Sequence, residues 1–158
     1  MSSHDAAEGR AGRYDRIHAQ LRDLIVGNSP NLIAAMATVC AVLHVKMPHH
    51  SWTGFYLVAE HELHVGPYQG PVACQVLRGE GVCIACWRSA QPVVVPDVRL
   101  FPGHVPCDPR AQSEIALPVM KEGRVVAVFD ADSHQPAQFT TADVDPLRKI
   151  LALLDTYL

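Results

Sequence analysis

Apolar residues recur at helical spacing through Tyr14, Ile17, Leu21, Leu24 and Ile25, with Arg16, Gln20, Arg22 and Asp23 mostly on the other side. This predicts a first helix that stops near Gly27-Asn28. Ser29-Pro30 reads as an N-cap followed by proline at the first helical position. The second helix carries Leu32, Ile33, Met36, Val39, Cys40 and Leu43 on one stripe, which makes Cys40 a small core residue. The period changes at Ser51. Trp52 to Ala59 is aromatic and aliphatic and predicts a strand. Glu60-His61-Glu62 is a turn, and Leu63 to Pro67 and Val72 to Leu77 follow as strands. Arg78-Gly79-Glu80-Gly81 is a loop entering a short helix over Val82 to Ser89. Val93 to Val95 is a short buried strand between prolines. The long loop from Pro96 to Arg110 carries Cys107, and loops of that length in a compact domain are usually functional or disordered. Ile115 to Met120 and Val125 to Asp130 form a hairpin about Lys121-Glu122-Gly123-Arg124. A last helix carries Val144, Leu147, Ile150, Leu151 and Leu154. It starts near Asp143, because Pro146 is tolerated only in a first turn.

Hairpins joined directly imply an antiparallel sheet with helices gathered against it, an α+β domain. The 158 residues suit one domain, expected over 14–158. Residues 1–13 are small and polar and read as a disordered tail without the apolar stretch of a signal peptide. A net charge of -3 without a basic run argues against nucleic acid and anionic membrane as partners. No apolar run reaches the ~18 residues of a membrane span. A cytoplasmic location is the expectation.

Five cysteines change the picture: Cys40, Cys74, Cys83, Cys86 and Cys107. In a reducing compartment, clustered thiols are more often catalytic or metal-binding than structural. Glu114, Asp130 and Asp132 add carboxylates, the last two on one face of a strand. Thiols beside carboxylates suggest thiol redox chemistry on a small, polar, positively charged molecule. No cofactor motif accompanies them, so no cofactor is expected. The nine histidines lack metal-helix spacing, and His49-His50 and His61 read as exposed loop residues.

Several segments, in order, carry a resemblance. They are Trp52-Thr53-Gly54-Phe55-Tyr56, Gly66-Pro67-Tyr68-Gln69-Gly70, Ala73-Cys74 and Gly81-Val82-Cys83. Gly103-His104-Val105-Pro106-Cys107-Asp108, Ser113-Glu114-Ile115-Ala116-Leu117-Pro118 and Phe129-Asp130-Ala131-Asp132-Ser133 complete them. From Ser51 to about Leu154 the chain resembles the free methionine-(R)-sulfoxide reductases, built on a single GAF domain. The resemblance implies that Cys107 attacks the sulfoxide sulfur and becomes a sulfenic acid as methionine departs. A second cysteine then forms a disulfide that thioredoxin reduces. Cys74 and Cys83 both match family cysteines. The sequence leaves open which resolves first, with Cys74 favoured and Cys83 as a relay. Glu114 is the candidate acid for the sulfoxide oxygen. Asp130 and Asp132 are candidates to hold the ammonium of the free amino acid and so to reject a peptide amide. Trp52 and Tyr56 are candidates to wall the pocket and pack on the S-methyl group. No metal is implied. The amphipathic terminal helices offer a face for a homodimer.

The chain departs from the family pattern between Cys74 and Cys86. Its Cys74-to-Cys83 spacing is shorter by a residue, Ile84 stands where a glycine is common, and Cys86 is additional. Two rival readings remain. Cys83, Cys86, His104 and Cys107 have the paired spacing of a zinc site. A GAF module can also bind a small ligand without catalysis.

Overall fold

The computed structural model describes residues 3–104 and 107–158, with side chains from residue 9 onward. Val105 and Pro106 of the Cys107 motif, and Met1 and Ser2 of the expected tail, lie outside the described residues. The described chain runs α1 (Ser3–Ile25), α2 (Leu32–Lys46), β1 (Trp52–Ala59), β2 (Glu62–Gln69), β3 (Val76–Leu77) and α3 (Val82–Ser89). It continues with β4 (Val93–Val95), β5 (Ser113–Lys121), β6 (Arg124–Ser133) and α4 (Val144–Ala152). The six strands order as β3-β2-β1-β6-β5-β4, and every neighbouring pair is antiparallel. The architecture is the α+β arrangement, helices against an antiparallel sheet, that the hairpin pattern predicts.

Side chains of a strand alternate between faces, so one sheet serves two cores. Phe55, Ile115, Leu117, Phe129 and Ala131 face α1, α2 and α4 in the larger core. Trp52, Tyr56, Ala116 and Val128 face α3 in the smaller one. Leu21 of α1 is fully buried in the larger core. Leu21→Ala is expected to cost ~2–5 kcal/mol of stability through lost transfer energy and a residual cavity. Urea unfolding monitored by circular dichroism checks it.

Several boundaries differ from expectation. Helix α1 begins at Ser3, so it takes in most of the segment expected as tail. Arg10, in that segment, donates to the Gln138 carbonyl at 2.7 Å and pairs with Asp143 at 3.5 Å. Asp143 is buried and also accepts from the Tyr14 hydroxyl at 2.9 Å and the Thr140 amide at 2.8 Å. This hub ties α1 to the start of α4, where Thr140 and Asp143 form a capping box. Helix α2 is capped by Asn31 rather than Ser29, its side chain accepting from the Ala34 amide at 2.9 Å. The third strand shortens to Val76–Leu77 at the sheet edge.

His50 is not an exposed loop residue. It is buried, with Nδ1 2.9 Å from the Thr53 hydroxyl, and burial pushes its pKa well below the usual imidazole range. His49 is half-buried against His50 and Phe139, and burial lowers its pKa to about 4. His61 is exposed, as expected. Among the described residues, no helix is long and apolar enough to cross a membrane.

Candidate active site

The face of the sheet under α3 holds the polar residues singled out from sequence. The registers explain how. Asp130 lies opposite Gly54 on β1 and Ala116 on β5, while Asp132 lies opposite Trp52 and Glu114. Three carboxylates from two strands therefore point to one side. Helix α3 lays Cys83 over them, its Sγ donating toward Glu114 Oε1 at 3.8 Å. Trp52, Tyr56, Cys83, Cys107, Glu114, Asp130 and Asp132 all line one cavity of about 60 Å³. That exceeds the ~10–15 Å³ a single water needs, so the cavity suits part of a small molecule.

Glu114 and Asp130 are buried. Burial raises the Glu114 pKa to about 8, assisted by the Asp132 charge. Asp130 is pushed well above the usual carboxylate range by burial and then by Glu114. Asp132 rises for the same first reason, with Asp130 next. Three acids sharing a site do not all ionise unless a cation joins them. Oδ1 of Asp130 and Oδ1 of Asp132 have no hydrogen-bond partner among the described residues. Among the described residues, no lysine or arginine lines the cavity there. The arrangement can therefore donate a proton from Glu114 and accept a positively charged head on the aspartates.

The thiols fall into two groups. Cys74 and Cys107 are joined by a disulfide with Cα atoms 5.4 Å apart, within the usual range for such a bond. Cys107 lines the cavity; beside Cys74, it is Ala73 that does so. Cys40, Cys83 and Cys86 are free and buried. Cys40 sits in the larger core, its thiol directed at the Pro67 carbonyl at 3.3 Å. Burial and the neighbouring Asp130 and Glu114 push the Cys83 pKa well up, so this sulfur stays a thiol. Burial raises Cys86 to about 12. The quartet Cys83, Cys86, His104 and Cys107 does not form a zinc site. Cys107 is held in the disulfide, and among the described residues the metal-capable trio within 4.8 Å is Cys83, Glu114 and Asp130.

Several residues that shape the site carry no role in the sequence reading. Tyr68 stacks on Trp52 with centroids 5.3 Å apart, and Trp52 stacks in turn on Tyr56 at 5.8 Å. Gly54 makes room for this stack. A Cβ there would collide with the Trp52 ring and with Tyr68 Cβ. A glycine inside a strand is the available signal of such an approach. The Tyr56 hydroxyl donates to the Cys74 carbonyl at 3.3 Å, joining the aromatic wall to the disulfide loop. On the other arm, Asp108 accepts from His134 Nε2 at 2.7 Å and from the Arg110 amide at 3.0 Å. Burial opposes ionisation of Asp108, but the His134 and Arg110 bonds hold its pKa below the usual range. This clamp fastens the residue after Cys107 to the end of β6.

Comparison with known proteins adds a second line. A GAF domain family model matches residues 30–156. The chain is 41% identical over 145 residues to GAF domain-containing protein A of Dictyostelium discoideum, covering 90% of each chain. It is 33% identical over 146 residues to the free methionine-R-sulfoxide reductase of Escherichia coli, covering 92% of this chain and 88% of the relative. The X-ray structure of the Neisseria meningitidis free methionine-R-sulfoxide reductase in complex with its substrate superposes with a TM-score of 0.87. It is 35% identical, over 91% of this chain and 87% of that one.

Proposed function

The chain belongs to the GAF-domain family and, within it, to the free methionine-R-sulfoxide reductases, and from that membership we propose that it reduces free methionine-(R)-sulfoxide with its own thiols. One observation carries the reading for this chain. A disulfide-bonded cysteine, Cys107, opens on the same cavity as buried Glu114, buried Asp130 and partly buried Asp132.

The substrate enters with its ammonium on Asp130 and Asp132, whose unpartnered oxygens suit a charge-assisted hydrogen bond. A peptide nitrogen carries no such charge, which disfavours methionine sulfoxide within a protein. The S-methyl group packs against Trp52 and Tyr56. The Cys107 thiolate attacks the sulfoxide sulfur while Glu114 protonates the departing oxygen. The sulfur–oxygen bond breaks as the Cys107–methionine sulfur–sulfur bond forms. The released hydroxide then adds to Cys107 Sγ, and the sulfur–sulfur bond breaks with its electron pair going to methionine, which leaves as a thioether. Cys107 is left as a sulfenic acid. The Cys74 thiol then attacks that sulfur, releasing water and forming the disulfide. Two thiols of an external donor, thioredoxin in this proposal, return both cysteines to the reduced state. Neutral, buried Cys83 is a weak nucleophile and fits a hydrogen-bond donor beside Glu114 better than a first resolving thiol. The cycle suits a reducing compartment such as the cytoplasm.

The test is a coupled assay with thioredoxin, thioredoxin reductase and NADPH. NADPH oxidation is expected with the free R isomer and not with the S isomer or a peptide-bound sulfoxide. Binding of the R isomer without turnover, with thioredoxin or a small dithiol, would instead mark a ligand-binding module.

A further inference from the structure

We propose that Cys83, Glu114 and Asp130 form a binding site for one thiophilic divalent cation, zinc by its chemistry. The site needs no external ligand beyond a water. The three donor atoms come from α3, β5 and β6 and lie within 4.8 Å of one another. Tetrahedral zinc with a sulfur at ~2.3 Å and oxygens at ~2.1 Å sets its donors about 3.5 Å apart. Cys83 Sγ and Glu114 Oε1 stand at 3.8 Å, so a small side-chain rotation closes the gap. A set of one thiolate and two carboxylates leaves a fourth position for water, as in sites with three protein ligands. The soft sulfur and the small number of oxygens disfavour magnesium and calcium, which take six or more hard ligands.

An independent observation points to a cation. Asp130 is 4% exposed, yet its Oδ1 has no hydrogen-bond partner among the described residues. An orphaned buried carboxylate oxygen is costly, and a bound cation is one way to satisfy it. Asp132 Oδ1, two residues along the same strand face, is orphaned too and can accept from a metal-bound water. Binding displaces the Cys83 thiol proton and the carboxyl protons to solvent, with no change of oxidation state. The ion takes the carboxylates proposed to receive the substrate ammonium, so it acts as an inhibitor. That consequence rests on the proposed function; the binding does not.

Cobalt(II) serves as a spectroscopic probe. It is added to the disulfide form, in which Cys74 and Cys107 offer no thiol. A thiolate-to-cobalt charge-transfer band is expected, saturating at one ion per chain and bleached by zinc. The band should vanish in Cys83→Ser and persist in Cys40→Ser and Cys86→Ser. Asp130→Asn, checked for folding by circular dichroism, should weaken zinc by more than about tenfold. No band with the folded wild type, a band surviving Cys83→Ser, or unchanged zinc affinity in Asp130→Asn would each overturn the site. Free methionine-(R)-sulfoxide should displace the cobalt. A chain that binds cobalt through Cys83 but turns over no sulfoxide sinks the reductase reading alone. One that turns over the sulfoxide and binds no cobalt sinks this site alone.

Discussion

Cys107→Ser is expected to lose turnover of free methionine-(R)-sulfoxide by roughly 10⁴-fold or more, the scale seen when a covalent nucleophile is removed. The proposed cycle needs both members of the disulfide, so loss of steady-state activity alone does not separate their roles. A single-turnover measurement does. Cys107 lines the cavity, and Cys74 reaches it through its bond to Cys107. The reduced Cys74→Ser protein should therefore release about one methionine per chain without added reductant and then stop as a sulfenic acid. Reduced Cys107→Ser should release none. Methionine formed by Cys107→Ser in that experiment would move the attack to another sulfur.

Glu114→Gln is expected to lower kcat by about 10²–10⁴-fold, the usual contribution of a positioned general acid. The amide keeps the shape but has no proton of comparable acidity to give. In the wild type the Glu114 pKa is raised to about 8 by burial and the Asp132 charge. The acid limb of the rate should thus fall as pH rises through about 8 and be missing from the variant. The same raised pKa makes stability fall with rising pH as well. Between the ordinary 4.5 and about 8 the folded chain retains a proton that the unfolded chain has lost. The stabilising contribution of this group is full below 4.5 and is lost as pH rises through 8. Glu114→Gln removes that loss, so its Tm should gain on the wild type with increasing pH. A Tm difference that is flat from pH 5 to 9 would mean Glu114 ionises normally.

Much of the fold was legible because the local signals were strong. Strand β1 ends where the aromatic and aliphatic run meets Glu60, and α3 begins directly after Gly81. Gly81 has φ 133, a conformation that favours glycine, so the loop and helix start were readable from one residue. The errors lie where distant contacts overrule local composition. Residues 3–13 have no apolar period, but Arg10 finds partners at Gln138 and Asp143, on the far side of the sequence. His49-His50 looks polar and loop-like, yet His50 is buried against Thr53 and Phe139. Ser29-Pro30 carries the local signature of a helix start, yet the cap of α2 falls two residues later, where the Asn31 side chain reaches the Ala34 amide.

The candidate site divides the same way. Asp130 and Asp132 were legible as a same-face pair because the strand period is two. Their meeting with Glu114 depends on the β5–β6 register, which no local pattern states. Tyr68 on Trp52 and His134 on Asp108 are likewise products of strand pairing and loop closure. The departures from the family spacing near Cys83 do not keep Cys74 from Cys107, because the stretch after Cys74 folds as an edge strand and a short helix.

Strand β6 sends Val128 and Asp130 to the cavity side and Phe129 and Ala131 to the helices. Single replacements on one side can therefore be explored without touching the other. Length is a different matter. One residue inserted or deleted within β6 would exchange the two sets at a stroke, driving a carboxylate among Ile115 and Leu117 and a phenyl ring into the cavity. The tip at Glu122-Gly123 is exposed and outside both strands, so extra residues there leave the alternation intact. For descendants of this chain, natural or designed, β6 is a ruler: its side chains are negotiable one by one, and its residue count is not.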